Sequence, residues 1–266
     1  MTSTFMHELL GSLLGRWREV DILLDRALIE STSTSLEFHD VLCRSSIVLT
    51  AAHLEGFIRD CANALIEDIN RFSSFKQSPP QIKRTFCNTF IRAEDPSSNT
   101  KAERLIQTFD SLDTKLTLGP FLFDGRNDDQ KSTSPSVIQK IAKNFGTDKI
   151  FSLLAGSKLD IVFSGLASEI AELSSELRDH LAASVESFPY SVDTTKFDLN
   201  HPGSTTNQRT LWESFLDNLS RQRNMIAHGT SQENGSSVSE IREIKEKIII
   251  LQYGVMLVLC KSAVST

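Results

Sequence analysis

FMHELLGSLLGRWREVDILLDRALI, from Phe5 to Ile29, decides the fold. Leu9, Leu13, Trp17, Val20, Leu24 and Leu28 follow one another at three- and four-residue steps, which lines them along one stripe of a helix. Most of the remaining chain repeats that rhythm, while runs that alternate apolar with polar residues are scarce. The sequence therefore predicts an all-α protein.

Outward from this stretch, the cluster Ser31 to Ser35 interrupts the first helix, and Thr34 with Glu37 three residues on forms a capping-box pattern. A second helix is expected from about Leu36 to Phe72. Near the other end, Arg209 to Ala227 carries Leu211, Phe215, Leu219 and Ile226 at helical spacing, with Gly229 where a left-handed cap belongs. After the polar turn Thr230 to Ser236, Ser237 and Glu240 offer another capping box for a helix reaching about Ser262. Within it, Ile248 to Cys260 is apolar except at Gln252 and Tyr253 and falls short of the roughly 20 residues that span a bilayer, so it reads as a buried helix and no membrane partner is expected.

Residues 1–72 and 209–266 are thus expected to pack as a helical bundle. Residues 73–208 are expected to be a helical or irregular insertion on it, punctuated by Pro79-Pro80, Pro96-Ser97-Ser98, Gly119-Pro120 and the polar stretch Gly125 to Ser134. Ser134-Pro135 opens a short helix that Gly146 closes, and a longer helix is predicted from Lys158 to Ser187.

The 266 residues carry a net charge of −6, so a polyanion must be met by a local basic patch and not by global attraction. The four cysteines, Cys43, Cys61, Cys87 and Cys260, form no C-x-x-C pair, which disfavours a zinc ribbon and suits a reducing cytoplasm. The N-terminus lacks the pattern of a signal peptide. There is no G-x-S-x-G elbow, no phosphate-binding glycine loop and no H-E-x-x-H pairing, so no metal and no cofactor are expected.

The sharpest local feature is Arg221-Gln222-Arg223-Asn224-Met225-Ile226-Ala227-His228-Gly229 at the end of an amphipathic helix. Asn224 and His228 are four apart and share a face. Arg223 lies about 140° round an ideal helix from His228, so only its long stem or a loosened last turn lets both reach one phosphate-sized target. The same residues also suit a plain role, satisfying terminal carbonyls and complementing the helix dipole beside Gly229.

Arg223, Asn224 and His228 on the penultimate helix of an all-α protein resemble the R-x4-6-H signature of the HEPN superfamily. The segment Leu42 to Asp60, with Glu55, Phe57, Arg59 and Asp60, is similar to helix two of its RiboL-PSP-type group. The two matches cover roughly half the chain, and the middle segment matches nothing in them. What the resemblance implies is an HEPN-like bundle acting as a metal-independent endoribonuclease, often a toxin of a toxin–antitoxin or phage-defence system, with its site assembled across a homodimer. Further partners on this reading are the RNA substrate and an antitoxin or sensor subunit. The alternative is a non-catalytic HEPN-like module that binds a nucleotide, an RNA or a partner.

The residue types fit the chemistry. Attack of the ribose 2′-hydroxyl on the adjacent phosphorus needs a proton removed there and another delivered to the leaving 5′-oxygen, which an imidazole such as His228 can do. The guanidinium of Arg223 can clamp the phosphate, and Asn224 can orient His228 or donate to the phosphate. By the resemblance, Glu55 is the candidate for an additional carboxylate; an ion pair with Arg59 is its structural alternative. His53 and Asp60 are expected at solvent or interface positions. Arg209, Arg221 and Arg242 are expected to widen a basic, RNA-binding rim.

Overall fold

An apolar stripe can only be buried if the start of its helix is held, because the first N–H groups of a helix have no partner within it. In the computed structural model, which describes residues 3–32, 36–92, 94–112, 117–124, 134–199, 209–229 and 236–264, the first helix α1 (Phe5–Glu30) is capped twice. Thr4 Oγ1 accepts from the His7 N–H at 3.0 Å. The buried carboxylate of Asp68 accepts from Phe5 N–H at 2.8 Å and Met6 N–H at 3.1 Å. Asp68 stands in the last turns of α2 (Leu36–Phe72), so this contact pins the two longest early helices as an antiparallel pair. Tyr190 donates to the same carboxylate at 2.6 Å and anchors the segment that follows a later helix.

The limits of α2 match the expectation from sequence. The Thr34 capping box and most of the stretch 125–134 fall outside the described residues. Along α1 the buried stripe passes through Leu24 to Ala27, and Leu28 is half exposed. A step of three keeps pace with the 3.6-residue turn there, where a step of four overshoots.

The last helix, α9 (Val238–Val264), is the core: every residue from Ile248 to Cys260 is buried. By length and composition α2 and α9 could each cross a membrane, but in α9 78% of the apolar window is buried inside the fold. Around it pack α1, α2 and α7 (Ala167–Val185), while α8 (Leu211–Ala227) lies against α2. Gln252, the polar residue of the buried run, accepts from Trp17 Nε1–H at 3.1 Å and donates to the His53 carbonyl at 3.5 Å, so one amide links three helices.

The expected helix Lys158–Ser187 is broken. Lys158–Phe163 is a 3₁₀ segment, and α7 begins only at Ala167. Between them Gly165 comes so close to Ile161 that a Cβ there would sit 2.8 Å from its carbonyl oxygen, so the chain turns where a side chain has no room. Leu166, just before α7, is 70% exposed. Because α7 packs on α1 and α9, the segment 73–208 contributes a helix to the bundle as well as decorating it.

The rest of that segment comprises α3 (Pro80–Asn88), α4 (Ser98–Ser111), α5 (Pro135–Asn144) and α6 (Ile150–Leu154). Gly146 has φ +102° just past α5, as a closing glycine should. Leu154 and Leu159 press onto α9 at Gly254, where a Cβ would meet them at 2.9 and 2.5 Å. Among the described residues there is no strand.

Removing the Asp68 carboxylate strands two backbone donors and a phenol. Asp68→Ala should lower unfolding stability by about 3 kcal/mol in urea titration, and Tyr190→Phe by about 1 kcal/mol, since it removes one bond and leaves the carboxylate its backbone donors.

Candidate functional site

The helix that carries the Arg/His motif starts firmly. Thr210 Oγ1 accepts from Glu213 N–H at 3.2 Å, and Glu213 Oε2 accepts from Thr210 N–H at 2.8 Å, a reciprocal cap that fixes the start of α8 at Leu211 and leaves Arg209 outside. Trp212, fully buried, donates to Asp160 at 2.8 Å. Leu216 and Leu219 continue the buried face.

At the other end, the helix stops at Ala227. His228 has φ −93° and ψ 1°, its N–H still donating to the Asn224 carbonyl at 2.9 Å. Gly229 turns left-handed at φ +66°, with its N–H on the Ile226 carbonyl at 3.2 Å. The His228 side chain is therefore carried on a cap, exposed, at the helix end.

Arg223 Nη1 donates to Asn224 Oδ1 at 3.0 Å. A guanidinium offers only donors, so the amide must present its oxygen to it and its NH₂ elsewhere. Neighbouring residues on a helix lie about 100° apart, and Asn224 is within about 40° of His228. The bond to Asn224 thus swings the Arg223 head round the helix toward the imidazole's face. Arg223 and Asn224 are half-buried, and Arg221 is exposed beside them.

The other expected members each hold an ion-pair partner. Arg209, just before α8, is ion-paired with Asp217, eleven residues or about 16 Å of helix before His228. Arg242, in the second turn of α9, pairs with Asp25 of α1 at 2.7 Å. Glu55 pairs with Arg59 at 3.3 Å and lies with Leu54 and Ile58 against Val137, Ile138 and Ile141 of α5. Asp60 pairs with Arg16 of α1 at 2.6 Å. Among the described residues no three His, Cys, Asp or Glu side chains are grouped to hold a metal ion.

One feature beside the motif was not read from the sequence. Leu23, Val41, Val48, Leu49 and Ile226, with Arg44 at the margin, line an open groove of about 580 Å³ between α1, α2 and the end of α8. Ile22, Ile29, Val41 and Met225 are exposed apolar residues of the same three helices. The available signal was Ile22 and Ile29, seven residues apart and off the buried stripe of α1.

An all-α bundle whose penultimate helix ends in this Arg-Asn-x-x-x-His arrangement is of the HEPN class. The RiboL-PSP-HEPN family model matches residues 15–255, so the chain belongs to that family. No curated protein and no solved structure matches it.

His53 faces α1 and packs edge-on against Trp17 at 5.6 Å, with its Nε2 3.5 Å from the Glu19 carboxylate. Burial holds its imidazole below the ordinary value of 6.5, Glu19 pulls it up and Arg16 pushes it down. The unfolded chain then binds this proton more readily than the folded one, so the contribution is present above pH 6.5 and lost as pH falls. Urea unfolding should show lower stability at about pH 5.5 than at about pH 7.5, and His53→Gln should shrink the difference.

Proposed function

We propose that this protein is a metal-independent endoribonuclease that cleaves RNA by attack of the 2′-hydroxyl on the adjacent phosphorus. The observation that carries the reading is the Arg223–Asn224 bond, which turns a guanidinium toward the face where His228 stands exposed. Arg223 holds the non-bridging oxygens and offsets the charge that gathers on them. With its oxygen committed to Arg223, Asn224 has its NH₂ free to donate to the same phosphate. His228 takes the proton from the 2′-hydroxyl or returns one to the 5′-oxygen. The products are a 2′,3′-cyclic phosphate and a 5′-hydroxyl.

In such a displacement the entering and leaving oxygens lie on opposite sides of phosphorus, out of reach of one ring at one moment. A homodimer meets that demand if the apolar groove of α1, α2 and α8 packs on its own copy, since the groove includes Ile226 and so brings two His228 rings toward one cleft. Burying that groove also removes exposed Ile22, Ile29, Val41 and Met225 from water. Arg221, and Arg44 at the margin, would add positive charge to a chain that is acidic overall. Arg209 and Arg242, each held by a carboxylate, would widen that rim.

The role we propose is that of a toxin or effector, held by an antitoxin or sensor subunit, of a toxin–antitoxin or anti-phage system. Four buried cysteines, none in a disulfide, suit a cytoplasmic setting.

Incubated with RNA in the presence of chelator, the wild-type protein should yield fragments ending in cyclic phosphate. His228→Ala should abolish cleavage, Arg223→Ala reduce it by about 10²–10³-fold, and Asn224→Ala by about tenfold through a mispositioned guanidinium. All three should keep the wild-type circular dichroism. Equal cutting by wild type and His228→Ala, or cutting only with added magnesium, would sink the mechanism. Expressed alone, the wild type should arrest growth and Arg223→Ala should relieve the arrest.

A further inference from the structure

Most cations of the bundle are neutralised where they stand. Arg16 pairs with Asp60, Arg26 with Glu30, Lys245 with Asp21 and Arg242 with Asp25. On α1, α2 and α8, the arginines with no carboxylate in ion-pair reach among the described residues are Arg18, Arg44, Arg71, Arg221 and Arg223. Arg18 stands midway along α1, and Arg71 lies over the Phe5 and Phe72 rings at the far end of α2. The other three gather where α8 ends.

Arg44 reaches that end from a different helix. It lines the same groove as Ile226, and the lining holds no carboxylate. Its Nε donates to the Asp40 carbonyl at 3.4 Å, one turn back, which lays the stem along α2 and leaves the Nη donors for another acceptor. Arg223, three residues before Ile226, shares that face of α8. The end of the groove therefore has a guanidinium on each of the two helices that meet there. The bond to Asn224 turns the Arg223 head away from Ile226 and round α8 toward His228. A phosphate clamped there stands off the groove, and Arg44 is left to meet a different one.

We infer that Arg44 holds a phosphate adjacent to the scissile one, so that the site takes RNA with at least one further linkage beside the bond it cuts and spares dinucleoside monophosphates. The inference rests on the ribonuclease reading and adds a substrate length to it. A diester chain carries one charge per linkage, spaced by its riboses, so two guanidiniums on neighbouring helices suit neighbouring linkages. The fork of Arg44 matches a pair of non-bridging oxygens. Such a contact touches the backbone and carries no base preference. Arg44 therefore lowers KM for any sequence and takes no part in bond breaking.

The test uses the full chain, chelator and a short RNA spanning a cut mapped in total RNA. The RNA is made with every linkage charged, or with the linkages flanking the cut replaced one at a time by uncharged methylphosphonate. Wild type should lose about tenfold in kcat/KM when one flanking linkage is neutralised, through KM and not kcat. Arg44→Met, which keeps the stem and deletes the charge, should show the same loss on the charged RNA and none further on the neutralised one. Arg71→Met, which removes an equally unpaired charge at the far end of α2, should cut as wild type does. Unchanged KM in Arg44→Met, a further loss on the neutralised RNA, or an equal loss in Arg71→Met would each overturn the inference. So would altered sedimentation of Arg44→Met, which would place the guanidinium between copies of the chain. Cleavage that needs His228 but ignores Arg44 and the flanking charge would refute this inference and leave the proposed activity standing. No cleavage by wild type would refute both.

Discussion

Everything in this molecule is arranged around a helix that is apolar on all sides. From Ile248 to Cys260 no face of α9 can meet water without exposing large aliphatic side chains, so α1, α2 and α7 must enclose it. The one amide inside that run, Gln252, would cost several kilocalories per mole if left bare. Its bonds to Trp17 and to the His53 carbonyl satisfy it and at the same time set the register of α1 and α2 against the core. Burial supplies the driving force, and this small polar junction selects one packing from many that burial alone would allow.

Asp68 performs the complementary task at the periphery. A carboxylate with no exposed surface is unfavourable in isolation, and here burial does push its pKa up while Tyr190, Phe5 and Met6 pull it down. The three donors come from two distant parts of the chain, the start of α1 and Tyr190, so that carboxylate ties both to the end of α2. The candidate site, in contrast, sits where α8 unwinds into a glycine cap, with fewer buried contacts and an exposed imidazole. Buried contacts are concentrated in the core, and the motif stands at an exposed margin.

What could be read directly from the chain follows from the range of each interaction. Leu36 to Phe72 was legible to the residue because its apolar spacing is local and unbroken. The start of α8 was read two residues early because Thr210 and Glu213 form a cap that the apolar pattern does not register. The break at Gly165 depends on an atom of Ile161 coming within contact distance, which spacing cannot reveal. Asp68 and Tyr190 are 122 positions apart, so their bond was invisible. In the site, the Arg-Asn-x-x-x-His pattern was legible as a motif and so was the Glu55–Arg59 ion pair, four residues apart on one helix, but the turn of Arg223 onto Asn224 was not, and neither was the packing of Glu55 against α5.

The order of helices along the chain has a consequence for synthesis. The core helix α9 follows every element that encloses it, so on the ribosome α1 and α2 emerge with their inner faces still uncovered and must wait for the segment that fills them. The cap bearing His228 is translated just ahead of that segment, on a helix that lies against α2. A nascent chain of this kind completes its bundle only at the end of synthesis, so its uncovered inner faces depend until then on whatever shields apolar surface at the ribosome.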